Sequence, residues 1–103
     1  MQVKWNRKAE KVLNAAVEYG IKTFSEEAVR KFYQQIKSND SRLAANPEIG
    51  KIEPLLADIG GNYRSLVVHE HYKLIYHIVN NTLRIADMWD TRIDPKCLAL
   101  RIK

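Results

Sequence analysis

Five side chains in the second half of the chain, Arg64, Lys73, His77, Arg84 and Arg92, are of the types that hold a phosphate or carry a proton. They fall within Tyr63–Pro95, which reads as three β-rich runs with two short breaks. The second break, Asn80-Asn81, predicts a two-residue type I′ turn, because both positions need φ > 0 and asparagine tolerates that better than most residues. Glu70-His71 supplies the first break. If both loops have two residues, Val79 faces Thr82 and His69 faces Tyr72, and directly opposed residues share a sheet face.

That register sorts the side chains into two unlike faces. One carries Tyr63, Val67, Tyr72, Leu74, Tyr76, Ile78, Leu83, Ile85 and Trp89, a core-facing set that also takes in Ser65, His69 and Asp87. The other carries Arg64, Leu66, Val68, Lys73, Ile75, His77, Val79, Arg84, Ala86 and Met88. On it Arg64, His77 and Arg84 are expected abreast across three strands, with Lys73 nearby, Arg92 just past the last strand and no carboxylate among the strand positions. Such a strip is either a wetted sheet face or a seat for an anion such as phosphate. The interleaved Val68, Ile75, Val79 and Met88 favour a groove over open water. Like charge on either side of His77 favours neutral imidazole near pH 7, which can act as a general base or simply pack between arginine stems. Asp87 is out of place on an apolar face. Either a helix cation such as Arg7 or Lys8 pairs with it, or a bulge near it shifts the downstream faces and reverses where Trp89 points.

Other chemistry is weaker. His69-Glu70-His71 puts two histidines at i and i+2, but without a third ligand nearby or the helical His-Glu-x-x-His spacing it reads as a turn pair, and no metal or cofactor is expected. Cys97 lacks a local base and reads as a small packed thiol.

The elements that must carry these residues fit one domain over 1–103. Gln2–Trp5 alternates like a half-buried strand, with Asn6 as a helix cap. Ala9, Val12, Leu13, Ala16 and Val17 form the stripe of an amphipathic helix ending at Gly20, placed for a left-handed C′ residue. Thr23-Phe-Ser-Glu26 has capping-box spacing. Val29, Phe32, Tyr33, Ile36, Leu43 and Ala44 then predict one helix to about Ala45, stopped by Asn46-Pro47, with Ser38–Asp40 as its weak point. Residues 46–62, with two prolines and three glycines, read as a connection. The tail after Pro95 reads as a short strand or a docked extension. The expected class is α+β: an N-terminal strand, a two-helix hairpin, then a three-stranded antiparallel meander.

Seventeen Lys and Arg against twelve Asp and Glu give +5, which favours acidic partners, nucleic acid or an acidic protein segment, and 46% hydrophobic residues argue against disorder. One cysteine fits a reducing compartment, and neither a signal-like amino terminus nor a membrane-length apolar run is present, so a cytoplasmic protein is expected.

The order strand, helix hairpin, Pro/Gly connection and meander resembles the RelE/ParE superfamily of bacterial type II toxins. The specific parts are Asn46-Pro-Glu-Ile-Gly50, Tyr63-Arg64 opening a strand, Tyr72-Lys-Leu-Ile-Tyr76 where the family commonly has Tyr-Arg-x-x-Tyr, and the exit with Arg92. The resemblance implies a growth-inhibiting toxin, of the kind met in plasmid stabilisation, neutralised by the carboxy-terminal segment of a cognate antitoxin. It also implies either ParE-like inhibition of DNA gyrase or RelE-like cutting of messenger RNA on the ribosome. Arg64, Lys73 and Arg92 match cationic positions of the RelE-like site, to which Arg84 adds a charge for RNA and His77 a proton carrier. Leu66 stands where that pattern has a second lysine and Leu98 near its terminal tyrosine, whereas Tyr63-Arg-Ser-Leu-Val-Val68 is closer to ParE-like chains. The gyrase reading therefore leads, an mRNA interferase is the alternative, and a non-toxic small RNA-binding domain is the third. A homodimer and a heteromeric complex with the antitoxin are both open.

Overall fold

Residues 1–102 are described by a computed structural model, in which the apolar periods become a five-stranded sheet with helices on both faces. In chain order the elements are β1 (Gln2–Trp5), α1 (Arg7–Thr23), α2 (Glu26–Lys37), α3 (Asn39–Ala45), β2 (Lys51–Ile52), a 3-10 turn (Pro54–Leu56), β3 (Arg64–His69), β4 (Tyr72–Val79), β5 (Thr82–Asp90) and α4 (Lys96–Ile102). The sheet order is β1-β5-β4-β3-β2. The meander is antiparallel, β1 runs parallel to β5 at one edge, and the two-residue β2 closes the other.

The helical part departs from expectation in three places, each for a local reason. Gly20 does not end α1. It lies inside the helix where α2 crosses, and a Cβ there would come within 2.9 Å of Val29 Cγ2. The cap of α2 is Ser25, whose Oγ accepts from the Ala28 amide at 3.1 Å, so Thr23 belongs to the previous helix. The single long helix is broken at Ser38. The buried Asn39 side chain donates to the Gln35 and Ile36 carbonyls and takes over the end of α2, and α3 then turns across β1, where Trp5 Nε1 donates to Asp40 at 3.0 Å.

Both hairpin turns have the expected two residues. Asn80 and Asn81 take φ of 51° and 61°, and Val79 pairs with Thr82 and His69 with Tyr72. Away from the turns the register departs from expectation, because each outer strand of the meander carries a bulge. Val68 is the extra residue in β3, and its carbonyl accepts from Gln35 Nε2 at 3.0 Å, so an α2 side chain satisfies what the ladder cannot. Ala86 is the extra residue in β5. One inserted residue exchanges the faces of everything beyond it.

The helix-side core accordingly holds Leu74, Tyr76, Leu83, Ile85 and Met88 under Ala9, Leu13, Ile36 and Leu43. A second core forms on the opposite face from Ile75, Trp89, Leu56 and Leu98, with α4 and the 3-10 turn as its lid. Trp89 and Asp87 thus lie opposite to the simple register and Met88 moves to the helix side, the outcome a bulge beside Asp87 was expected to have. The tail is a docked helix. Leu98 is fully buried, and Arg101 Nη2 reaches the buried Asp87 Oδ1 at 2.6 Å, so the partner of Asp87 is on α4 rather than at Arg7 or Lys8.

The connection 46–62 is fixed by Tyr76. Its buried hydroxyl donates to the Pro47 carbonyl at 2.8 Å and accepts from the Gly50 amide at 2.9 Å. Tyr76→Phe leaves both groups without a partner and is expected to cost about 1–3 kcal/mol in urea unfolding. A change below a few tenths of a kcal/mol would mean that these bonds do not hold the loop.

Candidate functional site

The cations expected to stand together are dispersed by the two bulges. Upstream of Val68 the parity of β3 is exchanged, so Arg64 pairs with Tyr76 and faces the helix side, not His77. Its Nη1 donates to the Gly50 carbonyl at 2.7 Å and, more weakly, to that of Glu48 at 3.4 Å, which uses the guanidinium to hold the 48–50 loop. Lys73 remains on the second face, between Val67 and Trp89 of the neighbouring strands, and its ammonium is bound to Glu53.

Glu53 is 2% exposed. Burial alone raises its pKa, but the hydrogen bond from Lys73, the Leu55 amide and the Lys73 charge outweigh it, and the carboxyl is held below its usual range. Lys73 is therefore committed to an internal ion pair. The face also contains Asp87, contrary to the expectation that it holds no carboxylate.

Arg92 lies past β5 and folds back on Asp90, with Nε to Oδ1 at 3.0 Å and Nη2 to Oδ2 at 2.8 Å. The fork lowers the Asp90 pKa and raises that of Arg92. His77 and Arg84 are opposed as expected, on the second face. The imidazole stacks on Tyr63 with centroids 4.3 Å apart and planes 19° from parallel. Burial first, and the Arg84 charge second, hold His77 below its ordinary pKa against a backbone hydrogen bond at Gly61, so the ring is neutral near pH 7. Of the expected group, only His77 and Arg84 are neighbours across the sheet. Lys73 is four residues from His77 along β4, about 13 Å of strand.

The prominent concavity lies elsewhere. A groove of about 440 Å³ runs between the α1–α2 hairpin and the β3–β4 turn, walled by Tyr19, Phe24, Phe32 and Tyr72, with His69, His71 and Arg92 at its rim. Tyr19 and Phe24 meet edge to face at 6.4 Å and are 64% and 62% exposed. A second hollow on the other flank of α1 shares Ala16, Tyr19 and Tyr72 with it and continues towards Ile93 and Arg101. Large aromatic surface left in water is suited to the apolar face of a partner peptide. Sequence reading passed over Tyr19 and Phe24 by following the buried stripe of α1. The available signal was that both are large aromatics lying off that stripe.

The model of the family described as "ParE toxin of type II toxin-antitoxin system, parDE" matches residues 3–95. A search of curated proteins gives no match. Among solved structures, one described as the chromosomal ParDE TA system from P. aeruginosa has a chain similar to this one, with a TM-score of 0.70 and 22% identity over 87% of this chain and 95% of that one. At that identity the likeness speaks to the fold, a β-α-α-β-β-β frame of the kind described above.

Proposed function

The chain belongs to the ParE toxin family of type II toxin–antitoxin systems, and on that premise we propose that it inhibits growth by binding DNA gyrase and is neutralised by a cognate antitoxin segment. The observation that carries the reading is the state of the three cations at the RelE-like positions. Lys73 is tied to Glu53, Arg92 to Asp90 and Arg64 to loop carbonyls. Cleavage of RNA by 2′-hydroxyl attack needs cations free to receive the phosphorane and groups to relay two protons. A protein-binding inhibitor needs neither. The exposed aromatic groove along α1 fits the apolar face of an amphipathic segment, and the neighbour's description as a ParDE system supports an antitoxin as its source.

Purified protein is expected to inhibit supercoiling by the gyrase of its own host, with inhibition relieved by the antitoxin. Full supercoiling at a large molar excess of toxin would overturn the reading. One observation favours the ribonuclease alternative: Arg64 and neutral His77 both line a small cleft with Gly61 and Asn62. In that case His77→Ala abolishes messenger RNA cutting at the ribosomal A site after expression. If no cutting is seen with the parent protein, that alternative falls.

A further inference from the structure

Among the described residues one cationic group on the second face has no internal partner, and it differs from the expected group by having Lys4 in place of Arg64. The parallel pairing of β1 with β5 sets Lys4 beside Arg84, and the antiparallel pairing of β5 with β4 sets Arg84 beside His77. Val3 and Trp5 pack into the helix-side core, which places Lys4 on the second face with Arg84 and His77. Three neighbouring strands therefore present Lys, Arg and His in one row, roughly 10 Å across at the usual strand spacing. Among the described residues neither Lys4 nor Arg84 has a carboxylate at ion-pair distance, whereas Lys73, Arg92 and Arg101 each do. The lid made by α4 and the 3-10 turn packs on Ile75 and Trp89, nearer the other end of β4 and β5, and only the half-buried Tyr63 of the proposed site abuts that cluster. At the β4 end of the row the Tyr63 ring lies flat against the imidazole.

We infer that the Lys4–Arg84–His77 row, ending on the Tyr63 ring, binds the sugar–phosphate backbone of single-stranded nucleic acid. Two unpaired charges on adjacent strands suit phosphates. The half-buried imidazole offers a hydrogen-bond donor or acceptor, and a paired aromatic surface next to cations is the arrangement on which unpaired bases stack. A duplex keeps its bases inside and uses only the charges. An acidic peptide likewise has no use for the stack. The row is separate from the aromatic groove along α1, so the inference stands whether or not gyrase is the target.

The test is fluorescence anisotropy of the purified protein with a labelled single-stranded 15-mer over a series of salt concentrations. Lys4→Gln with Arg84→Gln is expected to weaken binding at least tenfold at low salt and to flatten the slope of log K against log salt by about 1.4, the release from two phosphates of a single strand. Tyr63→Leu is expected to weaken it about fivefold or more without changing the slope. Arg30→Gln with Lys31→Gln removes the same charge from exposed α2 positions and is expected to change neither quantity. The inference is overturned if the α2 pair weakens binding as much as the row pair. Equal affinity for the duplex of the same sequence overturns it too, as does displacement by poly-glutamate at equal charge, which would assign the row to an acidic protein. Circular dichroism melts of each variant exclude loss of fold as the cause.

Discussion

Lys73→Ala is expected to lose about 3–5 kcal/mol of stability in urea unfolding, a large share of what a domain of this size has. Glu53 is 2% exposed and its Oε1 faces the Lys73 ammonium, so truncating the lysine leaves a buried carboxylate uncompensated. The pH dependence identifies the cause. In the parent the Glu53 pKa is held below 4.5, so its contribution is present above that value and is lost as pH falls through the folded pKa. Without Lys73 only burial, which acts the other way, and the Leu55 amide remain in strength. The deficit of the variant is therefore expected to be largest at neutral pH and to shrink on acidification. Replacing the pair together, Lys73→Met with Glu53→Leu, is expected to recover most of the loss. A Lys73→Ala protein as stable as its parent would mean that the ion pair does not form in solution. The expectation also bears on functional assays, since any loss of function in Lys73→Ala would report unfolding before it reported chemistry.

Arg101→Met is expected to cost about 3 kcal/mol, somewhat discounted because the arginine side chain is 31% exposed. Asp87 is fully buried, its Oδ1 is held by Arg101 and its Oδ2 has no partner among the described residues. Burial raises the Asp87 pKa against the Arg101 charge, which pulls it down. An acid whose folded pKa is raised favours the fold below its unfolded value, near 3.8, and loses that contribution as pH rises through the folded pKa. Methionine removes the opposing charge and keeps a stem over Trp89, where the guanidinium now lies 4.8 Å from the ring centroid. The difference between variant and parent should therefore narrow from pH 7 towards pH 4 and close in Arg101→Met/Asp87→Asn. A difference constant with pH would show that lost packing of α4, not the charge of Asp87, is what the substitution removes.

What could be read from the chain was what local rules determine. Asn80-Asn81 set one turn and Glu70-His71 the other, so the register next to each turn followed, and the α1 stripe located the helix-side core. The dispersal of the cations was not legible, because Val68 and Ala86 are ordinary strand residues and nothing in their type marks them as insertions. The β3 bulge is stabilised by Gln35 from a distant helix, a tertiary cause with no local trace. Asp87 was the one visible sign. An acid at an apolar strand position does not fit an unbulged strand, and its partner Arg101 lies on a tail whose Leu98, Leu100 and Ile102 alternate like a strand. Leu98, Arg101 and Ile102 also satisfy helical spacing, and the buried Leu98 with the exposed Leu100 shows which period prevailed. The Lys4–Arg84 neighbourhood depends on a parallel pairing between the two ends of the sequence, which no pattern within either strand specifies.

That pairing has a consequence for synthesis. β1 leaves the ribosome first, yet its neighbour in the sheet among the described residues is β5, some eighty residues later, which at 5–20 residues per second means a wait of about 4–16 s. The α1–α2 hairpin can form meanwhile from its own near contacts, whereas the sheet must wait for its most distant one, the slow step for a chain of this topology. Until β5 emerges the nascent chain therefore carries β1 without a partner, and the Lys4–Arg84 neighbourhood does not yet exist.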